Sequence, residues 1–296
     1  MDDGGRRSKV QRLYDACDAV FSPGKQAGLP TLTHRSGGCR TSSVRRRVPS
    51  CACLTRSRVR PGRPESIDVI TDQWRWFLPL SRADGMEAAD VGIDADAGGE
   101  SAAETRSSSS EDLRRFLSTR GFTRITYVHI HECDDFSMGV FCSPAGATLP
   151  LHDHPRMVVL SKLLYGSMRV SSYDWVAAPR SGPKMGGLAK VVAVDELREA
   201  PCKASVLFPR SGGNIHTLTA VTPCALLDVL APPYAEDLGR PSTYFSDIPI
   251  PALPGFAVLE ETDLPEGFHV VGAPYLGPEL EVDMDLYDYI AHCFPK

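Results

Sequence analysis

Gly146-Ala147-Thr148-Leu149-Pro150-Leu151-His152-Asp153-His154, closed further on by Gly166, is the most informative stretch of this chain. Side chains alternate along a strand, so His152 and His154 are expected on one face, about two residue rises apart. That spacing lets two imidazoles reach one metal ion, and a third ligand must then come from another strand. His216 ends Pro209-Arg210-Ser211-Gly212-Gly213-Asn214-Ile215-His216, where a glycine-rich turn could admit it to the same place.

Around this stretch lie many short β-rich runs: Arg124 to Cys133, Phe136 to Cys142, Met157 to Leu164, Ser167 to Trp175, Leu188 to Val194, Ala204 to Phe208 and Ala225 to Leu230. Pro and Gly clusters separate several of them, the pattern of an antiparallel sandwich or barrel. Ser110 can cap a short helix carrying Leu113, Phe116 and Leu117. Upstream, Val10, Leu13, Tyr14, Cys17, Val20 and Phe21 form the apolar stripe of an amphipathic helix stopped by Ser22-Pro23-Gly24. A helix docked on the main domain is expected there, with a partner-binding helix as the alternative.

From Arg35 to Pro64 nine arginines occur with no acidic residue, among many Ser, Gly and Pro. Such a segment cannot bury enough apolar surface to offset its ordering entropy, so disorder is expected. Gly85 to Ser110, acidic and rich in Ser, Ala and Gly, reads as linker. The organisation expected is a helical segment over 1–34, an insert and linker over 35–110, and a barrel domain over 111–296.

Composition excludes several classes. A net charge of -5 gives no general reason to bind nucleic acid, and Arg45-Arg46-Arg47 is too short a basic run to change that. No run approaches the length of a membrane span, and Met1-Asp2-Asp3 does not begin a secretory signal, so a soluble, intracellular chain is expected. The nine cysteines are irregularly spaced and are expected to be reduced. Cys51-Ala52-Cys53 with His34 and Cys39 fits no common zinc spacing.

The two histidine segments resemble the paired motifs of the cupins, which implies a double-stranded β-helix, or jelly-roll barrel. Many cupins add a glutamate ligand where this chain has Val158 and Val159, so three neutral imidazoles are expected. Three facial histidines leave three positions open on a six-coordinate metal and its charge uncompensated, which favours an anionic thiolate together with dioxygen. Iron(II) has the redox chemistry for that. Zinc also accepts three histidines and a water, so the ligand set leaves zinc hydrolysis open. His129-Ile130-His131 has the same spacing but lacks the glycine turn, the following proline and a distant partner. His34, His269 and His292 have no supporting context.

Further motifs are more specific. His152-Asp153-His154-Pro155-Arg156-Met157, Ser161-Lys162-Leu163-Leu164-Tyr165-Gly166-Ser167-Met168 and Ser172-Tyr173-Asp174-Trp175 resemble the plant cysteine oxidases, relatives of the animal cysteamine dioxygenase. So do Glu132 to Gly139, Asn214-Ile215-His216, Asp228-Val229-Leu230-Ala231-Pro232-Pro233-Tyr234 and Val10 to Asp15. The likeness spans roughly residues 8–32 and 85–296. It implies an iron(II) enzyme that uses dioxygen to convert an amino-terminal cysteine to its sulfinic acid. The implied substrates are hypoxia-response transcription factors, marked in this way for degradation, and the implied setting is nucleus and cytoplasm, as a monomer. The metal ligands carry over onto His152, His154 and His216, and catalytic roles onto Asp228 and Tyr234. Asp228 sits in the apolar run Ala225 to Leu230, where an unpaired carboxylate is costly; it is read as orienting the substrate amine, or else as a structural Asp. Tyr234, after two prolines, is read as lying near the site mouth, or else as a surface anchor.

Departures from the family are also plain. Ser242 stands ahead of Tyr244 where some relatives have a cysteine able to crosslink to tyrosine, so a thioether cannot form here. His131 occupies a position where an aromatic residue is expected. Residues 35–84 interrupt family-like sequence, as a retained intron or an isoform-specific arm. Two rival functions remain: a dioxygenase of a free small thiol such as cysteamine or cysteine, and a non-catalytic cupin. A free cysteine would want an arginine for its carboxylate, with Arg156, Arg169 and Arg210 as candidates.

Overall fold

The computed structural model describes residues 7–22, 32–35, 76–93, 124–177 and 184–284. The elements in chain order are α1 (Lys9–Phe21), β1 (Leu32–Arg35), α2 (Phe77–Asp84), β2 (Thr126–Glu132), β3 (Ser137–Ser143), β4 (Thr148–His152) and β5 (Val158–Tyr165). There follow β6 (Ser167–Trp175), β7 (Gly186–Glu199), β8 (Ser205–Leu207), β9 (Ile215–Ala220) and β10 (Cys224–Ala231). The last are β11 (Tyr244–Pro249), β12 (Phe256–Thr262), β13 (Val271–Ala273) and β14 (Glu281–Met284).

Six strands close on themselves in the order β11-β12-β7-β6-β9-β4, with Tyr244 paired to His152 to seal the ring. A second sheet runs β13-β2-β3-β10-β5-β8 and is antiparallel except at β13–β2. This is the jelly-roll barrel expected from the cupin-like motifs. Strand alternation divides the second sheet's side chains between two cores. Val158 and Leu160 of β5 and Leu227 and Val229 of β10 face the helices, among Val10, Leu13, Cys17 and Phe136. Leu163 and Leu226 face the other way, against Leu149, Met168, Val170 and Leu218 of the closed barrel. Because β10 is covered on both faces, its sequence reads as an uninterrupted apolar run broken only by Asp228.

The helix α1 is docked as expected. Ser8 caps it, its hydroxyl accepting from the Gln11 amide at 3.1 Å. A helix of thirteen residues is marginal alone; burying Val10, Leu13 and Cys17 completely supplies on the order of 1.5–3 kcal/mol for each large aliphatic group. The Gln11 carboxamide also bonds like a piece of strand, accepting from the Glu281 amide at 2.7 Å and donating to its carbonyl at 2.9 Å.

Residues 76–93, expected within the insert and linker, instead belong to the packed domain. Trp76, Ala83, Met86, Ala88, Val91 and Ile93 are all buried in the helix-side core. The buried Lys162 ammonium donates to the carbonyls of Asp84, at 3.0 Å, and of Cys202, while the Asp84 carboxylate accepts from the Ala204 amide at 2.6 Å. For Gly85 onward, composition averaged over Ser, Ala and Gly had hidden the apolar residues; Trp76 to Asp84 had been grouped with the Arg-rich insert that precedes them. The helix expected after Ser110, and the Arg-rich stretch itself, lie outside the described residues. Among the described residues no helix is long and apolar enough to cross a membrane.

Candidate metal centre

The structure brings His152, His154 and His216 together. Their ligand-capable ring nitrogens all lie within 4.8 Å of one another, and the ring centroids are 4.9, 5.0 and 4.8 Å apart. Three features place them. In β4 an extra residue enters between Leu149 and His152, so that His152 pairs directly with His216 on β9. The strand ends at His152, and His154 lies in the turn beyond it. The two histidines therefore converge by a strand end and a turn, and not by simple alternation along one strand.

Asn214 fixes that turn. Its Oδ1 accepts from the His154 amide at 3.2 Å, its Nδ2 donates to the carbonyls of His154 at 2.9 Å and Phe208 at 3.0 Å, and its own carbonyl accepts from His154 Nδ1 at 2.9 Å. The turn before Asn214 is held by Asp174, whose Oδ1 accepts from the amides of Gly213 (3.0 Å) and Asn214 (2.9 Å). Gly213 has φ +83°, and a Cβ there would come 2.6 Å from the Ser172 hydroxyl, so glycine is required.

The tautomers follow from these partners. A carbonyl can only accept, so His154 Nδ1 is protonated towards Asn214, as is His152 Nδ1 towards the Pro150 carbonyl at 2.8 Å. Both rings then present a bare Nε2, the arrangement that backbone carbonyls impose on metal-ligating histidines. Burial keeps all three neutral. It lowers His152; it pushes His154 down to about 3, with His152 adding to the effect; and it takes His216 well below the usual imidazole range, helped by His154 and His152. Three neutral imidazoles with convergent lone pairs fit a divalent transition metal.

Asp228 lies on β10, on the face shared with Leu226 and Leu230 that looks into the barrel. Burial raises its carboxyl to about 7, opposed by a hydrogen bond from Ser161, its neighbour across the β10–β5 pair. Its Oδ1 is buried with no hydrogen-bond partner. Tyr234 packs beside Met157, Val159, Leu207 and Leu230, with its ring 5.7 Å from that of His154. Its hydroxyl donates to the Asp153 carbonyl at 2.7 Å, so it braces the ligand turn. Asp153 itself turns away from the ligand cluster to accept from the Thr243 amide at 3.0 Å.

Asn214, Asp174, Ser161 and Thr243 were not singled out as site residues from the sequence. Asn214 carried a signal, being an Asx residue directly after a Gly-Gly pair, a setting where such side chains cap backbone groups; Asp174, inside β6, carried none. Of the arginines considered for a carboxylate, Arg156 donates to the carbonyls of Leu238 (2.7 Å) and Gly239 (3.1 Å). Arg169 pairs with Asp195 at 2.7 Å, and Arg210 is exposed. His129 and His131 are kept apart from the cluster; the ring of His131 packs against Tyr14 (4.9 Å) and Phe136 (5.1 Å) beneath α1.

Comparison with known proteins agrees with this geometry. Residues 83–280 match the family model PCO_ADO. The chain is 45% identical to plant cysteine oxidase 1 of Arabidopsis thaliana over 181 residues, 56% of this chain and 61% of that protein. It is 42% identical to plant cysteine oxidase 2 of the same plant over 295 residues, 93% of this chain and 87% of that protein. It is also 34% identical to human 2-aminoethanethiol dioxygenase over 189 residues, 53% of this chain and 68% of that protein. The chain thus spans less than two thirds of the first of these relatives.

Proposed function

Because the chain belongs to the PCO_ADO family, we propose that it is an iron(II)-dependent dioxygenase that converts the amino-terminal cysteine of target proteins to cysteine sulfinic acid. The observation that carries this reading is the cluster of three neutral imidazoles with no carboxylate among them. Iron(II) held by His152, His154 and His216 would supply the redox chemistry that lets dioxygen react with a thiolate. Both oxygen atoms end on sulfur, and the thiol proton leaves.

The chain's own residues account for selection of the substrate. A ligand set without negative charge favours the ionised sulfur over the neutral thiol. The unpartnered Oδ1 of Asp228 inside the barrel suits the amine of the same cysteine. A peptide α-amine titrates at about 7.7–8.0, near the value of about 7 to which burial brings Asp228, so the pair can exchange a proton at neutral pH. Met157, Val159, Leu207 and Leu230 form a dry wall beside Tyr234, which strengthens that contact.

A free cysteine would also bring a carboxylate, and Arg156, Arg169 and Arg210 are committed elsewhere or exposed. A peptide, whose carboxyl is an amide, has no such need. By family resemblance the targets are hypoxia-response transcription factors met in nucleus and cytoplasm, and oxygen supply sets their lifetime. The test incubates the protein with iron(II), air and three peptides: amino-terminal Cys, acetylated Cys and internal Cys. Mass spectrometry is expected to show two added oxygens on the first alone. Equal rates on free and acetylated peptides would remove amine recognition, and cysteamine outpacing every peptide would favour a small-thiol enzyme.

A further inference from the structure

A cleft of about 150 Å³ separates α1 from α2, lined by Arg12, Asp15, Ala16, Leu78 and Arg82. Its charge is unbalanced. Asp15 is already engaged, pairing with Arg7 at 2.5 Å and accepting from Gln11 at 2.9 Å. Among the described residues Arg12 donates only to the Arg7 carbonyl, at 2.8 Å, and Arg82, in the last turn of α2, has no ionic partner. Two guanidinium groups therefore face one cleft uncompensated, in a chain whose net charge is -5. Beside them the apolar side chains of Phe77 and Leu78 are 69% and 47% exposed.

Packing contacts link the second helix of the cleft to the metal site. Trp76, at the start of α2, meets the ring of Phe208 edge-on at 6.1 Å. The Phe208 carbonyl accepts from Asn214, the residue that clamps His154. Guanidinium forks match carboxylates, and exposed Leu and Phe beside them call for apolar side chains.

We propose that the α1–α2 cleft is a docking site for an acidic, apolar-bearing segment of the substrate protein downstream of its amino-terminal cysteine. This rests on the protein-substrate reading above, so the experiment has two independent arms. In the first, a fluorescein-labelled, cysteine-free peptide alternating Asp or Glu with Leu or Phe is titrated against the full-length protein by anisotropy. Saturable binding is expected, weakening as salt rises, about tenfold weaker in Arg12→Glu/Arg82→Glu and several-fold weaker in Leu78→Ser. In the second, a short Cys-initiated peptide and a long one ending in that acidic segment are compared in turnover. The long peptide is expected to have the lower KM at equal kcat, and the double variant to abolish the difference while leaving the short peptide unchanged. Peptide binding indifferent to the variants would overturn the docking site, as would variants that release RNA or anionic vesicles but not the peptide. Absence of any sulfinic acid on the short peptide would remove the enzymatic reading while the binding arm still decides the cleft.

Discussion

Two His-x-His pairs begin on two strands of this molecule, one lying within β2 and the other straddling the end of β4. Each strand carries one extra residue relative to its partner. In β4 the extra residue precedes His152, between Leu149 and His152. In β2 it falls between the histidines themselves: His129 pairs with Gly139 but His131 with Met138. One residue inserted between two positions reverses the face of the second. His131 is thereby turned to the helix side with Tyr14 and Phe136, while His129 stays on the other face beside Tyr127. The same spacing thus gives a convergent pair across the end of one strand and two unrelated side chains within the other. The bulge decides, not the motif.

The largest test of that contrast is removal of the ligands. His152→Ala, His154→Ala and His216→Ala are each expected to abolish iron retention after desalting and all sulfinic-acid formation, with the far-UV circular dichroism unchanged. His129→Ala and His131→Ala should hold iron like the parent; metal analysis that reversed the two sets would overturn the assignment. Next comes the device that β2 lacks. Asn214→Ala removes the clamp on His154 and is expected to weaken iron binding by roughly 10–100-fold, the usual cost of losing a group that orients a ligand. Iron affinity within twofold of the parent would show that the β4 bulge suffices alone.

A third test concerns pH. Burial raises the Asp228 carboxyl to about 7, so its charged form is the disfavoured one in the folded protein. As a group raised above its unfolded value, it contributes stability below pH about 4 that is lost as pH rises through about 7. Turnover needing the carboxylate runs the opposite way, rising through the neutral range; the positive charge of bound metal moves that limb lower. Asp228→Asn should remove the limb and cut turnover about tenfold or more, of the order seen when a positioned acid–base group is lost, while iron content stays constant. An unchanged pH profile would exclude Asp228 from the amine contact. The smallest effect belongs to β2 again. His131→Phe suits the pocket of Tyr14 and Phe136 and is expected to shift stability by less than about 1.5 kcal/mol, with iron content unaltered; calorimetry and metal analysis decide.

These contrasts also show what could be read in the sequence. The barrel was legible because β3, β5, β6 and β10 are dense in buried apolar residues. The late strands were not: β11 and β12, which close the ring, and β13 and β14, which join other sheets. In β11 only Phe245 is buried, so no alternation marks it, and Pro249 argues against a strand. The ligands were legible from the spacing of two short motifs. The means by which they converge was not, since a bulge and an Asx clamp leave no periodic trace. Residues 86–93 were missed because Met86, Val91 and Ile93 are spaced among small and polar ones, and 76–84 because a short apolar run after the Arg-rich insert was read as part of it.

The Gln11–Glu281 clasp has a consequence for biogenesis. The two residues are 270 positions apart, so the contact cannot form until the ribosome has passed β14. Until then the clasp cannot help hold α1, with Val10 and Leu13, against the helix-side face of the second sheet. Contacts of such long separation slow folding and leave nascent sheets open to mispairing. A chain stalled or truncated before Glu281 is therefore expected to be a client for chaperones, even though all three candidate metal ligands have already been made.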